Sequence, residues 1–152
     1  MAIENPALFP GVAADENAFR DAARVRFLVL DVDGVYTDGK LYFQENGHPV
    51  KCFNAQDGIG IKTAMLAGIG IGIITGRNDP CVLARMSQLG VTEFHAGFES
   101  KLPKLEAIRE KYGLKPEEMA YPGREWQKEQ HQCIASLSVT PSGLRYFSIK
   151  AR

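Results

Sequence analysis

The sequence predicts an α/β fold, a three-layer, Rossmann-like doubly wound parallel sheet. The apolar run Phe27-Leu28-Val29-Leu30 ends abruptly on Asp31 and Asp33, as a buried strand does where it opens into a charged loop. Gly68-Ile69-Gly70-Ile71-Gly72-Ile73-Ile74 reads as a second buried strand, with glycines where a side chain would collide with packed helices. Strands that alternate with helical patterns of about ten residues make up parallel crossover units.

The elements follow in order. Residues 1–24 are predicted to be a tail with a helical lead-in around Asn17 to Arg24, and residues 25–152 to form one domain. Leu41-Tyr42-Phe43 and Val50-Lys51-Cys52-Phe53 flank the turn dipeptide Asn46-Gly47 and predict an inserted β-hairpin over 41–53. From Gly58 a helical stripe of Ile59, Ile61, Met65 and Leu66 runs to Gly68. Asp79 to Leu89 has helical spacing and is closed by Gly90, and Val91 to His95 is short and extended. Ser100 is the expected cap of a helix over Lys101 to Tyr112. Met119-Ala120-Tyr121 is a further strand, and a fifth falls within Ile134 to Val139.

Composition narrows the function. A chain of 152 residues is one domain long, enough to bury roughly 68–70% of its unfolded surface. Zero formal net charge argues against the basic face that nucleic acid demands. Cys52, Cys81 and Cys133 are scattered, as in a reducing cytoplasm. The acidic, mixed start at Met1 to Ala23 lacks the pattern of a secretory signal, and no apolar run reaches membrane-spanning length.

The candidate chemistry sits at predicted strand ends and helix starts: Asp31 and Asp33, Thr75 to Arg77, Lys101, and Gly123 to Glu125. One carboxylate can accept a phosphoryl group and pass it to water while a second handles the leaving-group and water protons. Phosphate and carboxylate repel each other, so such a site calls for a divalent cation, ordinarily magnesium, with a lysine or backbone amides. Taken singly, Asp-x-Asp-Gly reads as a solvated turn and Lys101 as a surface lysine at a helix start. His48, His95 and His131 are dispersed and suggest no metal cluster.

Asp31-Val32-Asp33-Gly34-Val35-Tyr36-Thr37-Asp38-Gly39, Phe53-Asn54-Ala55-Gln56-Asp57-Gly58, Ile73-Ile74-Thr75-Gly76-Arg77 and Ser100-Lys101-Leu102 together resemble the haloacid dehalogenase superfamily of phosphatases. The hairpin and the Asn-x-x-Asp-Gly segment resemble a branch without a large cap domain. The resemblance implies hydrolysis of a phosphorylated sugar acid, an octulosonate 8-phosphate of lipopolysaccharide synthesis, with a nine-carbon sugar acid phosphate as the alternative. It implies that Asp31 is nucleophile and Mg2+ ligand, and that Asp33 is acid/base and lends its carbonyl to the metal. Thr75 and Lys101 would hold the phosphoryl oxygens. Substrate contacts would fall on Asn54, Ala55, Gln56, Asp57, Gly58, Lys62, Gly76, Arg77, Arg85 and Lys101. It also implies a cytoplasmic homotetramer in which the hairpin is an assembly element.

The likeness breaks at the last motif, where the family has Gly-Asp-Asp or Gly-Asp-Asn and this chain has Gly123-Arg124-Glu125. Arg124 at a metal-ligand position replaces attraction by repulsion, at a cost of several kcal/mol even at an effective dielectric of about 20. Glu125, one residue along, is the substitute candidate. The polar run Gln127 to Gln132 departs further. Three accounts are open here: a diverged site, a catalytically impaired scaffold, or a locally shifted reading frame. A phosphoacceptor on a similar sheet, like a response regulator, would not need Asp33.

Overall fold

The computed structural model describes residues 20–98, 100–122, 136–139 and 145–148. Its strands are β1 (Phe27–Leu30), β2 (Tyr42–Phe43), β3 (Pro49–Val50), β4 (Gly70–Thr75), β5 (Glu93–Ala96), β6 (Met119–Ala120), β7 (Ser136–Val139) and β8 (Arg145–Ser148). The main helices are α1 (Ala55–Leu66), α2 (Pro80–Leu89) and α3 (Leu102–Lys111). Four strands form an all-parallel sheet in the order β5-β4-β1-β6. The chain leaves β1 for β4 and β5 on one side and reaches β6 on the other. The order therefore reverses beside β1, where open α/β sheets leave a ligand crevice at their carboxyl ends.

Strand alternation divides the core into two layers. On one face Leu30, Ile71 and Ile73 pack with Ile61 of α1 and with Val82, Met86 and Leu89 of α2. On the other, Phe27, Val29 and Ile74 pack with Leu105 and Ile108 of α3. This is the expected three-layer arrangement. Between β1 and α1 the chain inserts the hairpin β2–β3, paired Tyr42 to Val50 and Phe43 to Pro49, and no cap domain is evident among the described residues.

Four expectations need correction. Helix α1 starts at Ala55, three residues before Gly58, because the Asn54 side chain accepts a hydrogen bond from the Gln56 N–H at 2.8 Å and caps it. Ser100 is not the cap of α3: Lys101 occupies that position without a side-chain cap bond, and Pro103 stands in the first turn. Of the glycines near β4, Gly70 and Gly72 lie under the Phe27 ring, whereas Gly68 meets nothing and serves a turn at φ +83°. The last expected strand forms as β7 but pairs antiparallel with β8 in a sheet of its own. Five residues separate β7 from β8, too few for the crossover of a dozen or more that parallel pairing requires.

Candidate active site

Strand β1 delivers Asp31 to the carboxyl edge of the sheet, and the next five residues, Val32–Tyr36, wind into a single wide turn. Gly34 takes φ +79°, a left-handed conformation that glycine adopts without strain. Thr37 closes the turn. Its N–H donates to the Val32 carbonyl at 2.9 Å. Its hydroxyl donates to the same carbonyl at 3.3 Å and accepts the Gly34 N–H at 3.4 Å.

The Asp31 carboxylate is fixed at both oxygens. Oδ1 accepts the Val32 N–H at 2.7 Å, and Oδ2 accepts from Lys101 Nζ at 2.8 Å. The Lys101 side chain is 5% exposed and that of Asp31 15%, which removes Lys101 from the class of solvated helix-start lysines. A carboxylate offers about four lone-pair sites, so each oxygen keeps acceptor capacity toward an incoming ligand.

Thr75 ends β4 on the strand beside β1 and is buried. Its hydroxyl accepts the Arg77 N–H at 3.4 Å, and its carbonyl accepts the Phe98 N–H at 3.2 Å. Thr75 and Asp31 thus stand at adjacent strand exits. Arg85 of α2 lies against Gly58, where an added Cβ would fall 2.4 Å from Nη2. Its Nε donates to the buried Tyr36 hydroxyl at 3.3 Å. The Asn54 to Gly58 segment, Arg85 and the loop after β1 are in this way brought into one neighbourhood. Lys62, Gly76 and Arg77 are exposed. Among the described residues the structure records no hydrogen bond from the Lys62 or Arg77 side chains to Asp31, Asp33, Thr75 or Lys101. Ala55, Gln56 and half-buried Asp57 form the first turn of α1.

Sequence reasoning missed Lys51. Its ammonium donates to Asp33 Oδ1, and its side chain is 4% exposed against 35% for Asp33. No local signal marks it, because a lysine after Pro49-Val50 looks like any polar residue of an edge hairpin. Arg124 and Glu125 lie outside the described residues.

The donor set fits a hard cation in part. The Asp31 carboxylate and the Asp33 carbonyl are oxygen ligands of the kind magnesium takes. No group of three or more His, Cys, Asp or Glu residues suited to a metal occurs among the described residues.

A phosphate-suited lysine and carboxylate at the switch point of a doubly wound sheet, with a short hairpin in place of a cap, define a class: the chain belongs to the haloacid dehalogenase superfamily. Its particular likeness is to 3-deoxy-D-manno-octulosonate 8-phosphate phosphatases. It is 42% identical over 112 residues, 74% of this chain and 58% of the relative, to that phosphatase from Escherichia coli strain B/BL21-DE3. Among solved structures, the Moraxella catarrhalis phosphatase in complex with magnesium, phosphate and KDO matches with TM-score 0.69 and 31% identity, covering 72% of this chain and 63% of that one. A subfamily III A hydrolase of the superfamily from Legionella pneumophila matches with TM-score 0.66 and 38% identity, over 68% and 57%. The chain thus spans under two thirds of the length of these relatives. No protein-family model matches it.

Proposed function

We propose that this chain is a magnesium-dependent phosphomonoesterase that releases phosphate from 3-deoxy-D-manno-octulosonate 8-phosphate, in the cytoplasm and as part of lipopolysaccharide biosynthesis. The observation that carries the reading is the 2.8 Å contact between Lys101 Nζ and Asp31 Oδ2 at the carboxyl edge of the sheet. A lysine there meets the negative charge of a phosphoryl group beside the carboxylate that would attack it.

The chemistry runs in two displacements. An Asp31 oxygen bonds to phosphorus as the bond to the sugar oxygen breaks, and the Asp33 carboxyl gives that oxygen its proton. Water then attacks the aspartyl-phosphate, Asp33 takes the water's proton, and inorganic phosphate leaves with Asp31 regenerated. Lys101 and Thr75 hold the non-bridging phosphoryl oxygens through both steps. Bound magnesium would be held by the Asp31 carboxylate and the Asp33 carbonyl, and would supply charge neutralisation between phosphate and carboxylate. Asn54 to Gly58, Lys62, Gly76, Arg77 and Arg85 are the proposed substrate contacts. The exposed apolar side chains of the hairpin support assembly as a homotetramer.

The test is phosphate release from the octulosonate 8-phosphate and from a nine-carbon sugar acid phosphate, with magnesium and with chelator. Magnesium-dependent release that Asp31→Asn removes is expected, faster on the eight-carbon substrate. Folded wild-type protein without turnover would overturn the reading. Gly123-Arg124-Glu125 favours a second reading, a catalytically impaired scaffold that binds the same phosphosugar. Arg124→Asp decides it. On the impaired reading, this change raises magnesium-dependent phosphate release at least about tenfold over the wild type, since reversing one charge near the ion is worth several kcal/mol.

A further inference from the structure

We infer that Lys51 is a positioning residue for the proton-transferring carboxylate of Asp33, tying the loop after β1 to the exit of the hairpin. The inference rests on the phosphatase reading above. Lys51 directly follows β3 and lies 18 residues from Asp33 in the chain. Its side chain is 4% exposed, so its ammonium is almost wholly removed from water. Such a group persists where an anion replaces the lost hydration, and that anion is Asp33. Ordinary surface lysine pairs contribute little because two long side chains must be held still in water. Here packing already immobilises the Lys51 stem, so the pair can dictate where the carboxylate sits.

Asp33 needs such a partner. Neighbouring loop bonds fix Asp31, Gly34 and Thr37, but none of them touches the Asp33 side chain. Among the described residues, the hydrogen bond recorded for that carboxylate is the one from Lys51. General acid/base catalysis contributes roughly 10²- to 10⁴-fold, and it depends on placement to well within an ångström. Lys51 would secure part of that factor without meeting substrate. It would also make proton transfer sensitive to the seating of the hairpin.

The experiment compares wild type, Lys51→Met, Lys51→Arg, Asp33→Asn and the double variant Lys51→Met/Asp33→Asn, with Lys40→Met as a control on an exposed pair. Methionine keeps the aliphatic stem and removes the charge, and thermal melts establish that each variant is folded. Lys51→Met is expected to lower kcat by roughly 10- to 100-fold with KM within about twofold. Lys51→Arg should recover most of the loss, and Lys51→Met should cost nothing further when Asp33 is already Asn. Amide hydrogen exchange at Gly34 to Tyr36 should rise severalfold in Lys51→Met, stay at wild-type rates in Lys51→Arg, and be untouched by Lys40→Met.

An equal Lys51→Met penalty with and without Asp33 overturns the inference. So does a raised KM at unchanged kcat, which would make Lys51 a substrate contact, or unchanged exchange. An active wild type whose kcat is indifferent to Lys51 ends this inference alone. A folded wild type with no turnover ends the phosphatase reading and removes the catalytic role, while the exchange comparison still decides whether Lys51 anchors the loop.

Discussion

Asp31 and Lys101 are 70 residues apart in the chain and 2.8 Å apart in space, and in the proposed mechanism the separation has a chemical use. The carboxylate comes from a strand exit and the ammonium from a helix start, two rigid elements that hold the pair more tightly than one loop could. A lysine that is 5% exposed has little freedom to swing away. Lys101→Met should therefore lower kcat by roughly 10²- to 10³-fold, the cost of losing one preorganised donor to a developing charge. Single-turnover kinetics check this, and a loss confined to KM would reassign Lys101 to ground-state binding. Asp31 is marked in the sequence by a strand that ends in paired acids, whereas Lys101, a surface lysine when read singly, is marked only by the family resemblance of Ser100-Lys101-Leu102. Lys51 is not marked at all, because its meaning depends on where the returning hairpin strand brings it. Its partner is fixed by tertiary geometry that no short-range pattern encodes.

Among the elements, β4 and β5 each carry a tight constraint. An added Cβ at Gly70 would lie 2.3 Å from Phe27 Cδ2, and the Phe27 ring is itself held against Tyr112 at 4.7 Å. Gly70→Ala has no flexible neighbour to displace and should cost about 1–3 kcal/mol by overpacking. It would appear as a lower urea midpoint at unchanged slope. The glycine alternation was readable as close packing, but only the register of β1 on β4 identifies which glycines are crowded and which merely turn the chain. At the start of β5, the nearly buried Glu93 carboxylate joins β5 to the end of α3. It accepts from Lys111 Nζ at 2.5 Å, the Tyr112 hydroxyl at 2.7 Å and His95 Nε2 at 2.6 Å. Burial opposes its ionisation, but the hydrogen bonds from Lys111, Tyr112 and His95 and the Lys111 charge outweigh it and bring the carboxyl from 4.5 to about 2. A depressed carboxyl contributes stability that is complete above its unfolded value and lost as pH falls through the folded one. Unfolding free energy should therefore drop by on the order of 3 kcal/mol between pH 5 and 2 through this group. Glu93→Gln should remove that component, leaving a shallower acid limb in denaturant titrations at stepped pH. A limb of unchanged steepness would assign acid lability to other carboxylates.

For the molecule as a whole, the hairpin is one part of the described residues that the core does not explain. Leu41, Tyr42, Phe43 and Val50 are 56%, 42%, 64% and 38% exposed, although their residue types are those of a buried sheet face. A two-stranded ribbon is at best marginally stable in water on its own, and an exposed apolar patch on a small domain marks an interaction surface. Contact with further copies of the same chain would cover these side chains and satisfy the ribbon's free edges. A local reading identified the hairpin, but its exposed face became visible only once the two core layers of the described residues were seen to include none of Leu41, Tyr42, Phe43 and Val50. Phe43→Lys combined with Leu41→Lys should therefore convert the proposed tetramer into smaller species in sedimentation equilibrium while leaving the far-ultraviolet spectrum intact. Because Lys51 leaves the same hairpin to reach Asp33, the dissociated variant should also lose kcat, and protein concentration should restore part of it if subunit contact seats the ribbon. If the wild type sediments as a monomer at micromolar concentration, assembly is excluded as the cover for this face and the hairpin must hold Lys51 in place unaided.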